Sequence, residues 1–319
     1  MLAAGAVIAL PTETVYGLAA DVTNAAAVRR VYAIKGRPLD HPLIVHLPSA
    51  EHLERYAVDV PAAAQTLVAR FWPGPLTLVL RKSDEVPLSV TGGQATVALR
   101  MIDHPLAGEI LRRFGSAVAA PSANRFGRVS PTTAEHVRSD LGDDVDLIVD
   151  GGAARFGVES TIVDLTGDVP AILRHGAIGA TALADALGTP VVVRSGGNVR
   201  APGMLAAHYA PRAALVIAPD GEQERLAAEL RASGGRVAEL TLPDDPRAAA
   251  RSLYASLRAL DAEGFDTIVV TLPPDTEPNA AVRDRLLRAA TPALTNAEAQ
   301  QFLLRGGAPS RRSRRSPDR

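Results

Sequence analysis

The sequence predicts an α/β protein in two parts: a larger N-terminal unit on a twisted mixed sheet with flanking helices, and a smaller C-terminal βαβαβα unit. Three observations predict it. Over residues 1–190 short apolar or β-branched runs alternate with helical patterns. Residues 191–212 are rich in Gly and Pro and lack sustained periodicity, as a linker does. After them the alternation restarts over 213–304, and a length of 319 residues suits about two domains.

Taken in order, strands are expected at 7–10, 43–47, 76–80, 96–101, 118–120, 147–149, 161–165 and 171–174. Helices fit between them at 25–34, 62–71, 105–114, 133–141 and 180–187. Strands from 147 to 174 follow one another without a helix, which favours a mixed sheet over a purely parallel one. Beyond the linker, strands at 215–218, 236–242 and 267–272 alternate with helices at 222–232, 246–262 and 280–290, a Rossmann-like parallel unit. Its first turn, Pro219-Asp220-Gly221-Glu222, lacks the G-x-G-x-x-G fingerprint, so no dinucleotide is assigned to it. Residues 305–319 hold six Arg and one Asp and read as a basic disordered tail, solvated or in weak contact with RNA.

Composition removes whole classes of function. With 47% hydrophobic residues the chain is that of an ordinary folded protein. It has no cysteine, which excludes thiolate nucleophiles, zinc fingers, iron–sulfur clusters and disulfides. A net charge of −1 supplies no field for drawing in polyanions, so any such site is local. Only Lys35 and Lys82 are lysine among the 34 basic residues, which singles them out in an arginine-biased chain. No apolar run reaches the roughly 18 residues of a membrane span. The apolar start lacks a preceding basic residue and reads as a strand rather than a signal peptide, so a cytoplasmic protein is expected.

The chemistry is sought at strand ends, where α/β folds build ligand sites. A Walker A loop, a G-x-S-x-G elbow and an H-E-x-x-H helix are all missing. Pro11-Thr12-Glu13-Thr14-Val15-Tyr16-Gly17-Leu18 follows the first strand with hydroxyls and a carboxylate, suited to a small polar ligand or simply to a turn. Lys35-Gly36-Arg37-Pro38 lies just past a helix end. If residues 35–37 are extended, Lys35 and Arg37 point the same way, a point charge beside a planar fork that suits a polyphosphate. The alternative is a cationic helix C-terminus favoured by the dipole. His46 closes its strand as a ligand or as a satisfied core histidine. Pro121-Ser122-Ala123-Asn124 offers Ser122 and Asn124, while Ser130 and Thr132 join them or cap the next helix, with Thr132 the favoured cap. Arg100 either caps the surface or holds a carboxylate with its fork. Gly157-Val158-Glu159-Ser160-Thr161 and Leu173-Arg174-His175-Gly176 complete what looks like one cavity fed by many strands.

These residues carry a resemblance. Pro-Thr-Glu-Thr-Val-Tyr-Gly-Leu at 11–18, Lys-Gly-Arg-Pro at 35–38, His-Pro-Leu-Ile-Val-His at 41–46, Trp-Pro-Gly-Pro-Leu-Thr at 72–77, Pro-Ser-Ala-Asn at 121–124 and Gly-Val-Glu-Ser-Thr-Ile at 157–162 resemble the threonylcarbamoyl-AMP synthases of the YrdC-domain family. Pro202-Gly203-Met204 and His208-Tyr209-Ala210-Pro211 resemble the long, two-domain form, with a YrdC-like N-terminal sheet. The resemblance implies that L-threonine, bicarbonate and ATP, with Mg²⁺, give threonylcarbamoyl-AMP and pyrophosphate. This product serves N6-threonylcarbamoyladenosine at position 37 of ANN-reading tRNAs, through a downstream tRNA threonylcarbamoyl transferase complex. It further implies nucleotide contacts at Lys35, Arg37, His41, Thr96, Ser122, Asn124, Ser130, Arg174 and Tyr209, with Lys35 and Arg37 at the catalytic centre. Threonine contacts are implied at Thr14, His46, Arg100, Ala120 through its backbone, and Ser160, and the linker is implied to fold over the cavity as a lid. Departures are a start almost at the first strand, where family members usually carry a helix, His41 where Asn is also expected, and Ala201 in place of Ser.

Three other readings compete. A double-stranded RNA-binding module would use a basic concave surface and the arginine tail, against which the net charge of −1 argues. A carbamoyltransferase of hydrogenase maturation also contains a YrdC-like domain but needs thiols that this chain lacks. A serine hydrolase would pair Ser122 or Ser160 with His46, without the usual elbow.

Overall fold

The computed structural model describes residues 1–194, 201–203 and 208–290. Eleven strands form the larger sheet: β1 (Ile8–Leu10), β2 (Gly17–Asp21), β3 (Ile44–His46), β4 (Ala57–Val58), β5 (Leu76–Lys82), β6 (Thr96–Arg100), β7 (Val118–Ala119), β8 (Leu147–Ile148), β9 (Thr161–Asp164), β10 (Ala171–Arg174) and β11 (Val192–Val193). Their spatial order is β11-β10-β9-β5-β6-β3-β7-β2-β1-β8, with β4 pairing β5. The sheet is mixed, as expected: β3 runs parallel to β6 and β5 to β9, while β5 with β6 and β1 with β2 are antiparallel. A second sheet holds β12 (Ala214–Ala218), β13 (Val237–Leu240) and β14 (Thr267–Thr271) in the order β12-β14-β13, all parallel.

Three local readings are corrected. Gly17-Leu18 is not loop but the start of β2, whose residues 17–20 are fully buried between β1 and β7. Val192–Val193, inside the stretch read as linker, adds an edge strand to β10. The helix after residue 132 is capped by Thr133, whose hydroxyl accepts from His136 N, while Thr132 Oγ1 lies 3.2 Å from the His136 ring.

Two-residue alternation decides which face carries chemistry. Val45, Val97 and Leu99 point into the main core, and their neighbours Ile44 and Ala98 pack on the opposite face with Ile162, Leu173 and Ala201. His46 and Arg100 fall on that second face by the same period. A register shift between Ile172 and Arg174 breaks the alternation in β10, so Arg174 is turned to the same side as Leu173. The helix Ala25–Lys35 is capped by Asn24 and ended by Gly36 at φ +64; its buried stripe of Ala27, Val28, Val31, Tyr32 and Lys35 carries a lysine inward.

The two sheets meet through one apolar cluster. Val15, Val129 and Val158 from the larger unit pack with Tyr209, Leu253, Tyr254 and Leu257. Arg258 crosses the seam to Asp140 at 2.5 Å and to the carbonyl of Ser130. Leu257→Ala should destabilise the chain by about 2 to 5 kcal/mol, read as a lower urea midpoint. A loss below about 1 kcal/mol would show that the seam is not packed as a core.

Candidate active site

The cavity lies on the second face of the large sheet. The β1–β2 loop brings Thr12, Thr14, Val15 and Tyr16, β3 brings Ile44 and His46, and β6 brings Arg100. The segment after β7 adds Ala120, Pro121 and Ser122, and Glu159, Arg174, Pro202, Gly203, His208 and Tyr209 close the remaining sides with Arg37. Its volume is about 50 Å³. Ligand pockets usually run to several hundred Å³, and Pro202, Gly203, His208 and Tyr209 stand over this one.

One wall is a buried ion pair. Glu13, 2% exposed, accepts from Arg100 Nη2 at 2.7 Å and from the backbone N of Asp103. Arg100 Nη2 also donates to Thr14 Oγ1 at 2.9 Å, and its Nε to the carbonyl of Gly74. Thr12 Oγ1 holds the turn by donating to the Val15 carbonyl and accepting from the amides of Thr14 and Val15. His46 Nε2 donates to the carbonyl of Ala120 at 3.2 Å. Burial, helped by the nearby Arg100, pushes His46 down to about 3, so the ring is neutral and Nδ1 is a bare acceptor.

A second wall is held from beneath. Residues 35–37 are not extended: Lys35 ends its helix and Gly36 turns the chain, so Lys35 and Arg37 do not share a strand face. Lys35 Nζ donates to the carbonyls of Ser122 and Asn124, at 2.5 and 2.7 Å, and so anchors the loop that presents Ser122. Burial and the neighbouring Arg37 hold its pKa well below the usual lysine range. Ser122 Oγ donates to Asn124 Oδ1. Arg37 reaches the cavity itself, braced by the carbonyls of His41 and Pro42 and stacked near Phe126. His41 stands edge-on to Phe126 outside the lining, and half-buried Thr96 sits at the other end of β6 from Arg100 on the same face.

The third wall centres on Glu159. Its Oε1 accepts from Ser130 Oγ at 2.5 Å; its Oε2 accepts from Tyr254 Oη at 2.9 Å and Arg285 Nε at 2.8 Å. Burial alone works against the charged carboxylate, but Arg285, Arg174 and the Ser130 hydroxyl bring Glu159 down to about 2. Arg174 donates to Ser160 Oγ and, from Nη1, to the carbonyl of Pro202 at 3.0 Å, joining sheet to linker. Ser160 Oγ also pairs with Thr77 Oγ1 at 2.7 Å.

Thus Thr14, Arg37, His46, Arg100, Ala120, Ser122, Arg174 and Tyr209 line the cavity, and Lys35, Asn124, Ser130 and Ser160 support it from behind. Glu13 is the carboxylate of the first cluster, where it serves Arg100, and Glu159 and His208 lie in motifs quoted from the sequence without a role of their own. Arg285 and Tyr254 were missed too; their signal was a polar group on the apolar stripe of a helix, as with Arg285 between Val282 and Leu286. Among the described residues four buried side-chain atoms lack a hydrogen-bond partner, and three of them, His46 Nδ1, His208 Nδ1 and Tyr209 Oη, belong to cavity residues. Buried polar atoms are almost always paired, so these mark where a ligand would bind.

Comparison with known proteins gives the family. Residues 1–176 match the family model Sua5_yciO_yrdC, described as telomere recombination, and residues 177–291 match that of the threonylcarbamoyl-AMP synthase C-terminal domain. The threonylcarbamoyl-AMP synthase of Pyrococcus abyssi is 39% identical over 307 residues, 89% of this chain and 90% of that one. That of Bacillus subtilis is 42% identical over 310 residues, 89% of each. The crystal structure of P. abyssi Sua5 complexed with L-threonine superposes with a TM-score of 0.86 at 38% identity, covering 91% of this chain and 92% of that one. The chain belongs to the threonylcarbamoyl-AMP synthase family and is an enzyme of it, with that family's mixed α/β fold.

Burial, the larger influence, lowers His46 and His208 from the ordinary 6.5 to about 3. The unfolded chain then takes up these protons near pH 6.5 and the folded protein only near 3. Their contribution is complete above about pH 6.5 and is lost on acidification toward 3, at about 1.4 kcal/mol per pH unit for each ring. Urea unfolding at about pH 7, 6 and 5 should show a shallower pH slope in His46→Gln than in the parent chain. An unchanged slope would mean that the ring is already charged when folded.

Proposed function

We propose that this enzyme makes threonylcarbamoyl-AMP from L-threonine, bicarbonate and ATP, releasing pyrophosphate. The observation that carries the reading is the convergence of three guanidinium groups, Arg37, Arg100 and Arg174, with three unpartnered polar atoms on one cavity. The relative from P. abyssi, complexed with L-threonine, supports the amino-acid half.

Carboxylated threonine attacks the α-phosphorus of ATP: a carboxylate oxygen–phosphorus bond forms and the bond to pyrophosphate breaks. No protein nucleophile is needed, so the residues orient and neutralise. Arg37 and Arg174 face the phosphates, with Ser122 and Tyr209 beside them. Arg100, its Nη2 engaged by Glu13 and Thr14 and its Nε by the carbonyl of Gly74, is held rigid to meet the threonine carboxylate through its remaining nitrogen. His46 Nδ1, a bare acceptor, faces the threonine hydroxyl or ammonium group. Lys35 acts through the 122–124 loop that it anchors. Mg²⁺ is read as arriving on the nucleotide phosphates.

Residues 201–203, which stand over the cavity, are read as moving aside to admit both substrates and returning over them. Closure keeps water from a mixed anhydride that hydrolyses readily. Gly203 is the close-approach point: a Cβ there would lie 2.2 Å from Tyr209 Oη, and its φ of +85 already disfavours a side chain. The product is read as the precursor of N6-threonylcarbamoyladenosine at position 37 of ANN-reading tRNAs, handed in the cytoplasm to a tRNA threonylcarbamoyl transferase complex. No described helix is long and apolar enough to cross a membrane. The basic tail named as an RNA contact lies outside the described residues. The hydrolase reading is not supported, since Ser122 donates to Asn124 and Ser160 pairs with Thr77 and Arg174, and neither is paired with His46.

Pyrophosphate release from ATP and Mg²⁺ should require both threonine and bicarbonate. In Lys35→Ala it should fall by about 100-fold or more, because the Ser122 loop loses its anchor. In Arg100→Lys the threonine KM should rise about tenfold or more while that for ATP stays within about threefold. Release independent of threonine would reduce the protein to an ATP hydrolase, and no release with tight duplex-RNA binding would favour the RNA-binding reading.

A further inference from the structure

Tyr209 holds a conformation that its own backbone does not favour. It is one of two described non-glycine residues at positive φ, +64, and its ring is 1% exposed. A β-carbon makes that region costly, so the surroundings hold it there. The neighbouring His208 ring stands edge-on at 4.1 Å, and two contacts come from the C-terminal unit. The Arg285 guanidinium lies 4.9 Å from the ring centroid, and the Tyr254 ring stacks on it at 5.9 Å and 27°. On the cavity side Gly203 leaves just enough room for the hydroxyl.

Arg285 is itself fully enclosed, and every nitrogen of its fork is engaged: Nε with Glu159 Oε2, Nη1 with Asp284, and Nη2 with the carbonyl of His175. Its partner Glu159 holds Tyr254 Oη on the same oxygen and Ser130 Oγ on the other. A guanidinium locked in this way cannot shift without breaking contacts on both units. We propose that Arg285 is a positioning residue for the active site: with Glu159 it fixes the Tyr209 ring over the cavity, so the nucleotide side of the site is complete only when the C-terminal unit is docked. This deepens the adenylating reading and rests on it for its kinetic arm. Of the residues implied around threonine, Thr14, His46, Arg100 and Ala120 make no contact with Arg285, and only Ser160 adjoins its partner Glu159, so the two substrates should respond differently.

The test uses the full chain with two variants. Arg285→Met leaves Glu159 buried without its cation and is prone to unfold, so Glu159→Gln/Arg285→Met removes both charges together, and Arg285→Lys keeps the charge without the fork. The first readout is tetranitromethane nitration of each tyrosine by peptide mass spectrometry, which needs no substrate. Expected is nitration of Tyr209 about tenfold faster or more in the double variant, with Tyr32 and Tyr56 as protected as in the parent and Arg285→Lys in between. The second readout is the pair of Michaelis constants: that for ATP should rise about tenfold while that for threonine moves less than about threefold. Protection of Tyr209 in the double variant, parallel exposure of Tyr56, or an equal rise of both constants would overturn the proposal. If the parent chain shows no threonine-dependent pyrophosphate release, the functional reading fails, and the nitration result still decides whether Arg285 holds Tyr209.

Discussion

The buried pair of Glu159 and Arg285 is the constraint on which the rest of the structure turns. Neither charge could be taken out of water alone, since a lone buried ion costs several kcal/mol. Their geometry compensates: Glu159 accepts from Ser130, Tyr254 and Arg285, and Arg285 uses all three nitrogens. Because one partner precedes β9 and the other lies on the last described helix, satisfying the charges obliges two separately wound sheets to meet in one orientation. The apolar seam of Val15, Val129, Val158, Leu253 and Leu257 then adds its hydrophobic contribution.

The same logic repeats at the opposite wall with Glu13 and Arg100, which are 2% and 4% exposed. In both places a carboxylate of the protein pairs with a buried arginine whose fork is also held by a backbone carbonyl, but Arg100 faces the cavity while Arg285 stands behind it and acts through Tyr209. An arginine presented to substrate must be rigid to be useful, and a rigid buried arginine must be paired. The cavity therefore carries its counter-ions within its walls, and an anionic ligand meets groups already oriented rather than charges still to be gathered.

Much of this was legible in the chain. Strand and helix alternation marked the elements, and the polar clusters at strand ends marked the cavity, because period-2 burial in β3 and β6 puts Ile44 with His46 and Ala98 with Arg100. Less legible were departures from periodicity. The register shift that turns Arg174 toward the cavity has no composition signature, and the helix that ends at Lys35 with a left-handed Gly36 separated a pair read as adjacent. The polar run at 11–18 suits a ligand or a turn equally well by composition, and only pairing with β1 and β7 makes Gly17-Leu18 part of a central strand. Thr132 and Thr133 are equally good caps by type, and only the fold shows Thr133 capping the helix while the Thr132 hydroxyl lies against the His136 ring.

What the sequence determined by itself is the set of parts: two α/β units, a Gly- and Pro-rich connection, and a cavity of cations and hydroxyls without a nucleophile. Local propensity and short-range periodicity suffice for these. Only the tertiary structure decided which charges belong together. Glu13 meets Arg100, Lys35 anchors the Ser122 loop, and Arg285 holds Tyr209 across more than seventy intervening residues. Such pairings depend on desolvation, which is a property of the assembled core and of no segment taken alone.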